Sequence, residues 1–149
     1  MPALRPAAAC LALACVLVLS TTSSEASASP SPMVDKINQV RAAHGMRALR
    51  YSRSLARSSS TFARYVVRTD HFAHAGRIMA SARFSRLGEV LALTQGWKIR
   101  RTRTLGNWLR SPGHRAVLLS PSFRYVGAAR VRGRVWGSRA VVWTVQLGR

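Results

Sequence analysis

The sequence predicts an α+β domain, and two observations carry that class. Apolar residues recur at helical spacing from Met33 to about Leu119 and at twofold spacing after it. Helices first and strands last argue for α+β and against a wound α/β sheet. With 149 residues, the chain has room for one domain.

The N-terminus reads as a leader. Met1 to Pro6 carries one positive charge, Arg5. Ala7 to Leu19 is apolar but short for a membrane span, and Ala26-Ser27-Ala28 fits a small-x-small cleavage site. Residues 1–28 are therefore expected to be a secretory signal peptide, 29–32 a Ser/Pro linker and 33–149 the domain. Both cysteines, Cys10 and Cys15, fall inside the leader. Export permits disulfides, but the mature chain has no thiol, so its core must stabilise it unaided.

In chain order, Met33–His44 predicts a helix stopped by Gly45, with Met33, Ile37 and Val40 on one face. His44 at its end suits the negative pole of the helix dipole. Asn38 and Arg41 read as structural polar contacts. Ser52 is placed to cap a second helix over Arg53–Arg68, closed by Thr69-Asp70. His71-Phe-Ala-His74 follows in a loop. Gly88–Leu93 is apolar around a lone acid, Glu89, and Lys98–Arg103 is a basic, solvated stretch. Thr104–Leu109 reads as the end of an amphipathic helix capped near Thr102. Ser111-Pro112 begins a further helix, with Ser as N-cap and Pro at the first helical position. That puts His114 in the first turn, where the positive end of the dipole favours neutral imidazole. Beyond Leu119, Phe123–Arg130 alternates, Arg132-Gly133-Arg134 signals a turn, and Val135–Leu147 resumes as strand, which predicts a hairpin or meander. Trp108, Trp143 and Tyr125 are expected in the core.

The formal net charge is +20, almost all of the basic side being arginine. The acids beyond the leader are Asp35, Asp70 and Glu89. Such a charge favours anionic partners, such as a membrane surface or an acidic wall polymer. There is no Gly-rich phosphate loop, Cys/His finger or serine elbow, so nucleotide enzymes and zinc fingers are poor alternatives and nucleic acid is not the expected partner.

The order of the motifs is informative. Asn38-x-x-Arg41, Phe72-x-His74, Gly88-Glu89, Trp108-x-x-Ser-Pro-Gly-His-Arg115 and Trp143-x-x-Gln146 follow one another after a signal peptide. From Met33 onward this resembles the CAP superfamily, the cysteine-rich secretory, antigen 5 and pathogenesis-related class of SCP-like extracellular domains, in its short cysteine-free bacterial branch. The resemblance implies an α-β-α sandwich, a central antiparallel sheet between helical layers. It also implies a cleft with two histidines, His74 and His114, and an acid, Glu89. A His/His/Glu set suits a divalent metal, zinc first, with an open position.

The chain departs from the family pattern in three places. No Asp or Glu follows Glu89, so the family's second acid is absent, and only Asp70 and His71 are left to substitute for it. The Gly-Glu-Asn of the family becomes Gly88-Glu89-Val90, and the amide often seen three residues after the histidine becomes Val117. The leading expectation is a secreted, monomeric, non-catalytic binding domain with no transmembrane span in its mature chain, which takes a divalent metal, a small extracellular ligand or a lipid. The alternatives are a metal-dependent hydrolase with Glu89 and His114 as its candidate catalytic residues, and a cationic surface-active protein that works through charge alone.

Overall fold

A computed structural model describes residues 31–80 and 84–149. The expected leader and the first half of the linker lie outside the described residues. Helix α1 spans Pro32–Ala43. It starts one residue before Met33 because the ring of Pro32 fixes φ near the helical value, which suits a first turn. His44 sits at its C-cap and its Nδ1 lies 2.9 Å from the Val40 carbonyl. Strand β1 is only Arg50–Tyr51, and helix α2 is Arg53–Thr69. The Ser52 hydroxyl accepts the Leu55 N–H and so caps α2, while Asp70 ends it in the left-handed region. The stretch around the lone acid is a nine-residue strand, β2, Leu87–Gln95. Helix α3 is Arg101–Arg110 and α4 is Pro112–Leu118. Thr102 lies inside α3 and does not cap it; Arg100 holds the N-cap position without a side-chain bond. Strands β3, Tyr125–Val135, and β4, Ser138–Gly148, form a long hairpin. Its turn is Trp136-Gly137, two residues beyond the Arg132–Arg134 signal.

The sheet runs β1-β3-β4-β2. The β3–β4 and β4–β2 pairs are antiparallel, but β1 lies parallel to β3, so the sheet is mixed and not purely antiparallel. β4 sits between two long strands and is buried from Ala140 to Gly148, which explains why it is apolar there apart from Thr144 and Gln146. Its alternate residues serve two cores. Val141, Trp143, Val145 and Leu147 pack with Met33, Val34 and Ile37 of α1, Leu105 and Trp108 of α3, and Leu118 of α4. Ala140 and Val142 face the other way and pack with Ala63 and Val66 of α2. The sheet is thus sandwiched between α2 and a layer of three helices. No helix among the described residues is long and apolar enough to cross a membrane.

Three contacts fix the helices where the site needs them. Arg41, 1% exposed, reaches from α1 to the Leu118 and Ser120 carbonyls at 2.7 and 3.1 Å and to that of Arg47 at 3.0 Å. It thereby satisfies carbonyls at the end of α4. Asn38 exchanges two hydrogen bonds with the backbone of Leu49. Trp108 is buried and donates its indole N–H to the Leu91 carbonyl at 3.0 Å, which ties α3 to β2. Glycine sets the closest approach: a Cβ on Gly127 would lie 2.0 Å from the Ala56 nitrogen, so α2 can rest on β3 only because that atom is missing.

Candidate functional site

The site lies at the Leu87 end of β2, one of the sheet's two edge strands. Two adjacent residues there point to opposite faces. Gly88 faces α4, and a Cβ on it would stand 2.7 Å from the Phe123 ring and 3.2 Å from Val117. Its bare backbone lets α4 close down on the strand and brings His114 to the cleft. Glu89 faces the α2 side, directly opposite Gln146 of β4. The Gly-Glu pair, uninformative as a dipeptide, performs two separate positioning tasks.

Glu89 is almost fully enclosed, its side chain 5% exposed. Its Oε1 accepts from His74 Nδ1 at 3.1 Å and from the Ala75 backbone N–H at 3.1 Å, and its Oε2 accepts from Gln146 Nε2 at 3.0 Å. Three donors satisfy this buried carboxyl group and offset the cost of its burial. His74 is 58% exposed in its side chain and so stands at the solvent side of the pair. Donation of Nδ1–H to Glu89 fixes its tautomer and leaves Nε2 as the basic nitrogen.

His114 is anchored the same way. Its Nδ1 lies 2.9 Å from the Ser111 hydroxyl. Ser111 therefore occupies the N-cap position of α4, but its side chain serves the imidazole and not the backbone. The pKa of His114 is lowered, first by burial and then by the nearby His74. The neutral ring expected from the helix dipole is thus favoured by desolvation and a like-charged neighbour. The His74 and His114 rings are 5.7 Å apart, centroid to centroid, and tilted by 43°. Neither Nε2 has a hydrogen-bond partner among the described residues.

The three residues singled out in the sequence converge on one open cleft of about 430 Å³, with Ile78 and Val117 on its apolar side. They do not form a three-ligand cage. Glu89 is committed to three donors, and among the described residues no three His, Cys, Asp or Glu side chains are arranged to hold a metal ion. The two imidazoles remain as the donor set. An ion about 2.0–2.1 Å from one nitrogen of each ring would hold the ring centres about 5–6 Å apart, which the observed spacing matches.

Asp70 does not stand in for the missing acid: its carboxylate accepts the backbone N–H of Trp136 at the hairpin turn. His71 is exposed and not part of the cleft wall. One participant, Gln146, was not assigned a role from sequence, and the Ser111 hydroxyl, expected to cap α4, instead bonds to the His114 ring. Gln146 had a usable signal, since it is a lone amide set between Val145 and Leu147 in a mostly apolar strand. It is completely buried, and its Oε1 has no partner among the described residues.

The sequence matches the profile of CAP, the cysteine-rich secretory protein family, over residues 34–147. The chain belongs to this family. Solved structures similar to this CAP domain include an outer surface protein from Borrelia burgdorferi (18% identity, 78% of this chain and 89% of that one, TM-score 0.64). An extracellular protein containing an SCP domain from Bacillus anthracis is 21% identical, with 78% of this chain and 39% of that one covered and a TM-score of 0.61. A cysteine-rich secretory protein from Staphylococcus aureus is 12% identical, with 78% and 37% covered and a TM-score of 0.52. At these identities the likeness establishes the α+β CAP fold. The chain spans well under half the length of the latter two proteins. No curated protein sequence matches.

Proposed function

We propose that this CAP domain is exported and acts as a binding module whose His74–His114 pair takes a divalent transition-metal ion, with zinc the first choice. Export rests on the N-terminal leader pattern and on the extracellular or secretory description of the Bacillus and Staphylococcus proteins. The observation that carries the metal reading is the matched anchoring of the two rings. Each imidazole is held through Nδ1, one by a buried carboxylate and one by a hydroxyl, so that the other nitrogen remains available. A carboxylate behind a ligating histidine is a recurrent outer-shell arrangement that raises basicity and fixes ring orientation. Water, or a small ligand entering the open cleft, would complete the coordination. When bound, such an ion would supply Lewis acidity at the cleft mouth.

Binding without turnover is the better-supported reading of this geometry. Glu89 is enclosed and engaged by three donors, which suits an orienting group more than a base that must approach a water. No second acidic side chain borders the cleft among the described residues.

Zinc titration by calorimetry tests the proposal. The parent protein should bind one equivalent, and His74→Ala with His114→Ala together should weaken binding by at least about 100-fold. Equal affinity in parent and double variant would refute the site. Turnover of peptide or ester substrates that requires metal and disappears in Glu89→Gln would replace the binding reading with the hydrolase.

A further inference from the structure

The end of the sheet remote from the histidines carries features that the cleft does not use. Trp97 lies just beyond β2 and Trp136 sits in the β3–β4 turn; they are 50% and 60% exposed, although the other two tryptophans, Trp108 and Trp143, are buried. Both exposed indoles are held in place. The Arg139 guanidinium lies 4.7 Å from the Trp97 ring centre, and the Gly96 N–H bonds to the Arg139 carbonyl, which joins the two loops. Trp136 meets the edge of Phe72 at 6.0 Å, and its backbone N–H donates to Asp70.

Trp136 also sits where a bulky residue is disfavoured. Its φ is +52° and that of Gly137 is +71°, the signature of a type I′ turn, in which Asn or Gly fits with least strain. A large indole kept out of the core, in a conformation that disfavours it, is local strain of the kind found at functional positions.

The charges at this end conflict as well. Arg134 and Arg139 are direct cross-strand partners, a like-charge pairing that destabilises a hairpin in water. Arg132 is exposed on the same hairpin, and Lys98, Arg100 and Arg103 are exposed just after β2. The acid at this end, Asp70, is occupied by the turn.

We infer that this pole docks onto an anionic lipid bilayer, with Trp97 and Trp136 entering the headgroup layer and the surrounding guanidinium and ammonium groups meeting lipid phosphates. Charge alone would suit any polyanion, but paired exposed tryptophans among basic residues select the interface: an indole is apolar in its body and polar at one edge, and it partitions to headgroup depth. Anionic headgroups relieve the Arg134–Arg139 conflict. Glu89 and Gln95 are six residues apart along β2, a span of about 20 Å. Docking by the Trp97–Trp136 end therefore leaves the histidine cleft facing away from the bilayer and open to solution.

The test uses vesicles with equal parts phosphatidylglycerol and phosphatidylcholine, compared with phosphatidylcholine alone. Residues 1–30 contain no tryptophan, so indole fluorescence reports on the domain and not on the leader. In the parent protein, lipids brominated near the headgroup should quench fluorescence in the anionic vesicles, and raised salt should weaken the effect. Trp97→Ser with Trp136→Asn should abolish this quenching and reduce partitioning into anionic vesicles by about tenfold or more. Asn suits the left-handed turn, so a folding defect is not expected, and zinc binding by the double variant should equal that of the parent. Absence of quenching in the parent, partitioning unchanged in the double variant, or heparin binding without any vesicle quenching would each overturn the proposal. Loss of zinc binding in the histidine variants would leave vesicle docking intact, so the two proposals fail separately.

Discussion

Arg41 and Glu89 are both charged side chains drawn into the interior, and they are satisfied in different ways. Arg41 is 1% exposed, and its guanidinium is bonded to three backbone carbonyls. Burial, and then the nearby Arg124, lower its pKa. The Glu89 side chain is 5% exposed, but its partners lead outward, to an imidazole that is mostly exposed, and sideways to Gln146, whose own oxygen has no partner among the described residues. A buried charge closed entirely by backbone is scaffold. A buried charge that orients a half-free side chain at a cleft is the arrangement the proposed binding role needs. The difference lies in what the partners do next, not in depth of burial.

Three experiments sharpen that contrast. The largest effect belongs to Arg41. Arg41→Ala leaves carbonyls at the end of α4 without a donor and should cost about 3–5 kcal/mol of stability in denaturant titration, with zinc affinity of the folded fraction changed by less than about tenfold. A stability loss under about 1 kcal/mol would show that water replaces the guanidinium and that the scaffold role is overstated.

Next is Glu89→Gln, which keeps shape but removes the anion behind His74. Zinc affinity should fall by about 10- to 100-fold, the usual range for an outer-shell partner, with a smaller change in stability than for Arg41→Ala. If stability collapses while affinity per folded molecule holds, Glu89 belongs with Arg41 as scaffold.

The smallest effect is in pH. The His114 pKa is lowered, so its folded ring stays neutral below the ordinary value of 6.5, while the unfolded ring takes up a proton there. His114 therefore contributes no penalty above that pH and an increasing one as the pH falls below it, until the folded ring also protonates. An NMR titration should find its midpoint below 6.5, and His74→Ala should move it upward by removing the like-charge contribution. A His114 midpoint at or above 6.5 in the parent would remove the argument for a neutral ring held ready.

Local patterns set most of the helical layer and the final hairpin. The Ser52 cap and Ser111-Pro112 marked two helix starts, because caps and proline act within one turn of chain, whereas Pro32 was read as linker and opens α1. Thr102 was misplaced as a cap, since packing of Leu105 and Trp108 into the core extends α3 upstream without one. β2 was legible only as apolar sequence around an acid, and β1 not at all, because two residues become a strand only when β3 lies beside them. The motif order gave His74, His114 and Glu89 as a set, but not the roles within it. Whether a carboxylate ligates or orients depends on which donors reach it, and those come from Ala75 and Gln146, separated from it by 14 and 57 residues.

By itself, then, the sequence determined the charge, the cysteine-free domain, the family and the residues that meet at the cleft, all of which are properties of composition and order. Tertiary structure decided that Gly88 lets α4 approach, that Ser111 serves a ring and not a helix, and that two tryptophans remain outside at the far end of the sheet. Those outcomes depend on distances between segments remote in the chain. No local pattern carries them, because a side chain's partner is fixed only once the sheet register has placed both elements.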